Sequence, residues 1–305
     1  MSSLTKVMIS PHIHSGKSTS GVMRDVLIAL LPATVAGAVI FGVSALIPVL
    51  LCVVCCVGFE AIFNVITKKT QTVGDLSSAV TGLLLGLNLP ANIPLWQCVV
   101  GSLFAIVVVK CLFGGIGCNL VNPAITARVF MLVAFESMAI AAFPVDTVAG
   151  ATPLSSGETP DLLTAFLGNY GGSIGETCTA ALLLGGIYLI VRRVITWHIP
   201  VCYIGTVFVF SLFMTGFDFV TALSLTMVGG LFIGAIFMAT DYVTSPFTPW
   251  GKVIFAVGAG LLTCLIRYFG MYPEGVSFAI LLMNILTPYI NRWTRNKVFA
   301  SGGKK

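Results

Sequence analysis

Thr152 closes the segment Asp146-Thr147-Val148-Ala149-Gly150-Ala151-Thr152-Pro153-Leu154, and these residue types make a projecting turn. Gly150 admits positive φ, Ala151 is small, and Pro153 holds the residue before it extended, so the Thr152 hydroxyl stands clear of the backbone. No His or Cys lies near it in the sequence to take its proton, which makes it a poor catalytic nucleophile by itself. Asn119 and Asn122 form a second polar group, each carboxamide offering a donor and an acceptor. Asn122 directly precedes Pro123, the pattern of a helix start with Asn as cap and Pro in the first helical position. A third group is ionisable and falls inside apolar runs, where such residues are costly and functional by default. Glu60, Glu136 and Asp241 are thereby candidates for an ion path. Each also has a plain structural reading, a helix-end cap for Asp241 and interhelical hydrogen bonds for Glu60 and Glu136. Lys110 lies near the end of its run and can snorkel. Cys52, Cys55 and Cys56 resemble a CxxC, but no second cluster has metal spacing, and nine cysteines, an odd number, argue against a disulfide framework. No metal site is expected.

The elements that must position these residues are membrane helices. Of 305 residues, 57% are hydrophobic and only 9% are charged, against roughly 25% charged in a soluble chain. A water-soluble enzyme is excluded. The net charge of +5 in so apolar a chain speaks to membrane orientation rather than to nucleic acid. Apolar runs bounded by Pro, Gly or charge fall at about 24–43, 45–67, 76–90, 93–112, 123–143, 177–196, 199–216, 219–243, 253–271 and 274–291. The expected fold is an all-α integral membrane protein of about ten transmembrane helices. With the N-terminus inside, only Arg267 of the 16 basic residues falls on the external side, as the retention of Lys and Arg in cytoplasmic loops requires. Miscounting by one span would invert every later loop. No basic residue lies between Arg128 and Arg192, so the polar stretch 144–176 is expected to be a large external loop.

The chain divides on this reading into a cytoplasmic leader 1–23, a first transmembrane repeat 24–143, the external loop 144–176, a second repeat 177–292 and a basic cytoplasmic tail 293–305. The halves share a faint self-similarity at an offset of about 155 residues, pairing Trp96 with Trp250, Phe113-Gly114 with Phe269-Gly270 and Ala124-Ile125 with Ala279-Ile280. An odd number of spans in the first half makes the second run in the opposite sense, giving two five-helix inverted repeats. Such repeats place the ligand site at their interface, near short or interrupted helices. Segment 76–90 reaches only about 22 Å at about 1.5 Å per residue, less than the roughly 30 Å hydrocarbon core. A broken helix is expected there.

Several stretches resemble the D-subunit family of the Rnf electron-transport complex and, more distantly, the B subunit of the sodium-pumping NADH:quinone reductase. They are Ser10-Pro11-His12-Ile13-His14-Ser15, Val80 to Pro90, Phe113-Gly114-Gly115-Ile116-Gly117-Cys118-Asn119-Leu120-Val121-Asn122-Pro123-Ala124, the Asp146–Thr152 loop, Ala239 to Pro246, and Tyr272 through Asn284. The resemblance covers nearly the whole chain. It implies a covalent flavin: in the family a flavin transferase recognises Asp-x-x-Ser/Thr-Gly-Ala-Thr/Ser and joins FMN through its phosphate to the final hydroxyl. Asp146, Gly150, Ala151 and Thr152 match, while Ala149 departs from the usual Ser or Thr. It also implies riboflavin held without a bond near Asn119 and Asn122, whose carboxamides suit the mixed edge of an isoalloxazine ring. Arg128 could then pair with a flavin or with a carboxylate.

The implied function is that of a flavin-carrying membrane subunit relaying electrons between ferredoxin and NAD, coupled to Na+ or H+ transport. Its partners would be the other subunits of an Rnf-type complex, a flavin transferase and membrane lipid, in a prokaryotic cytoplasmic membrane with both termini inside. The chain has no Rossmann glycine signature and no iron–sulfur ligation, so it would not be a complete enzyme. A B-type quinone-reductase subunit and an inverted-repeat transporter or channel are the alternatives. The short leader favours the Rnf type over the first. The Thr152 loop argues against the second, since a transporter has no use for a flavin acceptor.

Overall fold

The computed structural model describes residues 18–138, 160–270 and 275–295, with the side chain of Glu136 excepted. Among these residues the chain is all-helical. The helices are α1 (Thr19–Phe41), α2 (Leu46–Ile66), α3 (Ser77–Leu87), α4 (Leu95–Leu103, continued by a π-helical segment Phe104–Cys111), α5 (Pro123–Ala134), α6 (Leu162–Leu167), α7 (Thr179–Val191), α8 (His198–Met214), α9 (Phe219–Met227), α10 (Leu231–Ile233, continued by a π-helical segment Gly234–Met238), α11 (Pro249–Phe269) and α12 (Val276–Trp293). Local signals account for several starts. Ser18 accepts a bond from the Gly21 amide. Asn122 accepts from the Ala124 and Ile125 amides with Pro123 in the first turn, and Thr248 accepts from the Gly251 amide ahead of Pro249.

The molecule is apolar outside and polar at selected points inside. Val39 and Val54 are 75% and 67% exposed, whereas Glu60 and Arg128 are 2% and 3% exposed. That inversion of the usual pattern is what a bilayer solvent dictates. Three helices are long and apolar enough to cross a membrane by themselves, Thr19–Phe41, Val43–Ile66 and Pro249–Phe269. A fourth crossing is available from Phe219–Met227 and Leu231–Met238, which meet at 66°. Other apolar helices are of 10 to 17 residues. Helix α2 packs against α3 and α4, α8 against α9 and α11, α1 against α7, and α5 against α12.

Three segments depart from the expected spans. Within the run 123–143, α5 stops at Ala134, where Phe135 turns extended. The run 219–243 is broken at Val228–Gly230, where Val228 is extended and Gly229 takes φ +80°. Within 144–176, residues 171–176 are buried rather than solvated. This buried return explains how broken helices survive in an apolar interior. Leu87 and Leu89 carbonyls, left free where α3 ends, accept from the Gly175 and Ile174 amides at 2.7 and 3.1 Å. At the second break, Thr179 donates to the Met227 carbonyl at 3.3 Å, and Arg267 donates to the carbonyls of Leu225 and Val228. These backbone oxygens thus find partners from protein, as a membrane interior demands.

Candidate functional site

The structure holds two buried charge clusters and one cleft whose wall draws on both halves of the chain. The first cluster joins α2 to the π segment after α4. Lys110 Nζ is 2.9 Å from Glu60 Oε1, 2.7 Å from Ser77 Oγ and 2.9 Å from Ser78 Oγ. Thr72 donates to Glu60 Oε1 at 2.8 Å and Ser78 donates to Glu60 Oε2. Lys110 therefore does not snorkel. It is 2% exposed, and its three protons are all taken. The wider turn of a π-helix, frequent at functional sites, closes here with the Leu112 amide bonded to the Val107 carbonyl.

The second cluster sits where the end of α3 meets the break between α9 and α10. Arg128, from α5, places Nη1 2.5 Å from Glu176 Oε1 and 2.7 Å from Asn88 Oδ1 at the end of α3. Asn88 in turn donates to the Leu84 carbonyl at 2.6 Å. Of the two partners open to Arg128, the carboxylate is the one the fold supplies. Gly230 makes room for it, since a Cβ there would fall 2.6 Å from Glu176 Oε1. Sequence reasoning missed Asn88 and Glu176, which no local pattern marks.

The cleft takes in about 770 Å³ of space, its open mouth included. Its wall is built from α1, α3, the π segments carrying Lys110 and Phe237, the loop bearing Asn119 and Asn122, and the turn at Asp241. Three of the stretches that carry the family resemblance meet here. Asn122 and Asn119 play different parts in it. Asn122 is a helix cap whose Nδ2 also donates to the Met238 carbonyl at 3.1 Å, so both ends of its carboxamide are engaged. Asn119 Oδ1 is buried and, among the described residues, has no hydrogen-bond partner. The loop that presents it turns through Gly114, Gly115 and Gly117, all at positive φ. An orphaned acceptor on a cleft wall is what a donor group of a bound ligand would satisfy.

Asp241 follows the second π segment and lines the same cleft. Its carboxylate accepts from the Val243 amide at 3.5 Å and the Thr244 hydroxyl at 3.2 Å. Asn284, oriented to satisfy both ends of its amide, ties this turn to α5 by donating to the Thr244 carbonyl and accepting from the Asn122 amide. Glu136 begins a short 3-10 turn after α5. Asp146, Gly150, Ala151 and Thr152 lie outside the described residues, as do Ser10 to Ser15 and Tyr272 to Glu274. No cluster of three metal-ligating side chains occurs among the described residues, and their cysteines are free.

Comparison with known proteins points the same way. Residues 6–300 match the model of the family described as NQR2, RnfD, RnfE. The chain is 46% identical to the D subunit of the Na(+)-translocating ferredoxin:NAD(+) oxidoreductase complex of Acetobacterium woodii, over 96% of this chain and 94% of that one. It is 40% identical to the D subunit of the proton-translocating ferredoxin:NAD(+) oxidoreductase complex of Clostridium ljungdahlii, over 96% and 95%. It is 36% identical to the D subunit of the ion-translocating oxidoreductase complex of Stutzerimonas stutzeri, over 94% of each. With nearly its whole length matched, the chain belongs to the NQR2, RnfD, RnfE family of membrane proteins.

Proposed function

We propose that this chain is the D subunit of an ion-translocating ferredoxin:NAD+ oxidoreductase complex, working with the other subunits of that complex to carry electrons while Na+ or H+ crosses the membrane. Its relatives at 46% and 40% identity bear that name. The chain holds two flavins on this reading. One is FMN joined by its phosphate to the Thr152 hydroxyl after delivery by a flavin transferase. The other is riboflavin in the cleft between the halves. The observation that carries the second is the orphaned Asn119 Oδ1 on the wall of the cleft where three of the family-like stretches meet. When bound, a flavin supplies one-electron transfer. The residues around it bind and orient it: Asn119 as acceptor, Asn122 by holding the loop to Met238, Phe237 and Val80 as apolar walls.

Ten spans in two inverted repeats complete the reading. The packing of α2 on α4 and of α8 on α11 supports it, as does that of α1 on α7 and α5 on α12. Trp96 and Trp250 are each the second residue of the corresponding helix. Both termini then lie in the cytoplasm of a prokaryote and the Thr152 loop lies outside. Glu60, Glu136 and Asp241 are its ion-path residues.

The test is flavin analysis of the purified complex. Wild type should fluoresce in a denaturing gel and carry the mass of an FMN adduct, and Thr152→Ala should assemble dark. Asn119→Leu should lose extractable riboflavin and keep the covalent flavin. Extractable riboflavin at full stoichiometry in Asn119→Leu removes the cleft assignment, and a dark wild-type band removes the covalent one.

A further inference from the structure

The Lys110–Glu60 pair is oriented relative to the cleft. Lys110 and Ser77 form part of its wall, while Glu60 lies behind them and contributes nothing to it. The positive end of this buried dipole therefore faces the ligand space. Lys110 has spent its protons on Glu60, Ser77 and Ser78 and has none to offer a ligand directly. Ser77 differs. Its Oγ accepts from Lys110 at 2.7 Å, and among the described residues it makes no bond in which it is the donor. A hydroxyl that accepts from an ammonium is a stronger donor for it, because chained hydrogen bonds polarise one another. The wall thus presents one uncommitted O–H, backed by a fixed positive charge in a low-dielectric interior.

We propose that Ser77 donates a hydrogen bond to the carbonyl-bearing edge of the ring bound in this cleft, and that the Lys110–Glu60 pair behind it raises the reduction potential of that ring. The inference rests on the reading of the cleft as a flavin site. One electron arriving from a neighbouring one-electron carrier adds one negative charge to the ring; no bond breaks, and Lys110 keeps its protons. The charge is met by the Ser77 donor and by the ammonium behind it, so the reduced ring is held more tightly than the oxidised one. Lys110 is a positioning residue and Ser77 the contact. Two features support a site built for this purpose. Lys110 projects from a π-helical segment, and so does Phe237 on the facing wall, so the two π-helical distortions among the described residues both border one cleft. The ion pair is also hydrogen-bonded by its neighbours, Glu60 by Thr72 and Ser78 and Lys110 by Ser77 and Ser78.

The experiment uses the full chain carrying Thr152→Ala, so that only the non-covalent flavin titrates, with riboflavin as the probe and spectroelectrochemistry as the readout. Ser77→Ala and the double variant Glu60→Gln/Lys110→Met should each lower the midpoint potential. A tenfold loss of preference for the reduced ring corresponds to about 59 mV for one electron. Glu60→Gln alone leaves the ammonium unopposed and should raise the potential. Ser77→Thr, which keeps the hydroxyl, should restore it. Riboflavin bound with an unchanged potential in both Ser77→Ala and the double variant overturns the inference while leaving the cleft assignment intact, and so does a fall in Glu60→Gln. Failure of the parent chain to bind riboflavin overturns the cleft assignment and this inference with it. The double variant conserves net charge and Ser77→Ala removes one atom, so a folding defect in either leaves the other to decide.

Discussion

Helices α2 and α4 are joined by a buried ion pair, whereas α8 and α11 are joined by a neutral bond, Tyr203 Oη to Thr263 Oγ1 at 2.7 Å. All four side chains are buried to 3% exposure or less. Both regions also have helices approaching closely over glycine. A Cβ on Gly82 of α3 would lie 2.7 Å from the Cys52 carbonyl of α2, and one on Gly260 would lie 2.7 Å from Thr206 Cβ. Small residues and a hydrogen bond are enough to pack helices in a membrane, as the second pair demonstrates. Taking two charges into the same interior carries a desolvation cost of several kcal/mol per ion that packing does not require. The charges of the first pair therefore serve something beyond cohesion, and the first pair is the one whose cation lines the cleft.

The largest expected effect belongs to Lys110. Lys110→Met leaves the Glu60 carboxylate buried without its cation and should cost about 3–5 kcal/mol, read as a fall in thermal unfolding temperature in detergent. Glu60→Gln/Lys110→Met should recover most of that loss. If the double variant is as unstable as the single, the pair is a scaffold and the contrast with Tyr203–Thr263 disappears.

Glycine substitutions sharpen the contrast in packing. Gly82→Ala drives its methyl into backbone atoms of α2 and should cost about 1–3 kcal/mol. Gly260→Ala meets the Thr206 side chain first, and the same unfolding assay should place it at the low end of that range. A larger loss at Gly260 would make α8–α11 the tighter contact.

Tyr203→Phe should cost about 0.6 kcal/mol and no more than about 1.7 kcal/mol, the average and the maximum for single hydrogen bonds between membrane helices. Thr263 keeps its own bond to the Ala259 carbonyl at 2.8 Å, so no buried donor is stranded. A loss as large as that of Lys110→Met would refute the claim that the second pair is held by ordinary packing.

The smallest effect belongs to the turn that follows α8. Asp218 caps α9, accepting from the Thr221 hydroxyl and from the Val220 and Thr221 amides, and the Thr221 hydroxyl in first place holds its carboxyl below the usual carboxylate range. A depressed folded-state value means that the stabilisation is present above the unfolded value of about 3.9 and is lost as pH falls through the folded one. Asp218→Asn should flatten the acid limb of a stability-versus-pH curve slightly. The limb should be unchanged by Tyr203→Phe.

Much of this protein was legible in the sequence because its information is local. Hydropathy over 20 or so residues announces a membrane solvent, the short run 76–90 announces a helix too short to cross the bilayer, and Asn122-Pro123 announces the start of α5. The motif residues Asn119, Asn122 and Asp241 were nameable from sequence, and the structure places all three on one cleft. What the sequence left undecided depends on contacts between distant positions. Lys110 finds Glu60 at a separation of 50 residues, and Arg128 is held by Asn88 at a separation of 40; neither distance has a periodicity to betray it. Asn119 and Asn122 are the same residue type in one motif. Only the fold makes one a satisfied cap bonded to Met238 and leaves the other with an oxygen that has no partner among the described residues. The bend at Val228–Gly230 and the two π segments are likewise invisible to hydropathy, which averages over such irregularities. Tertiary structure decides them because a membrane interior tolerates a broken helix or a buried charge only where another segment of the chain arrives to satisfy it.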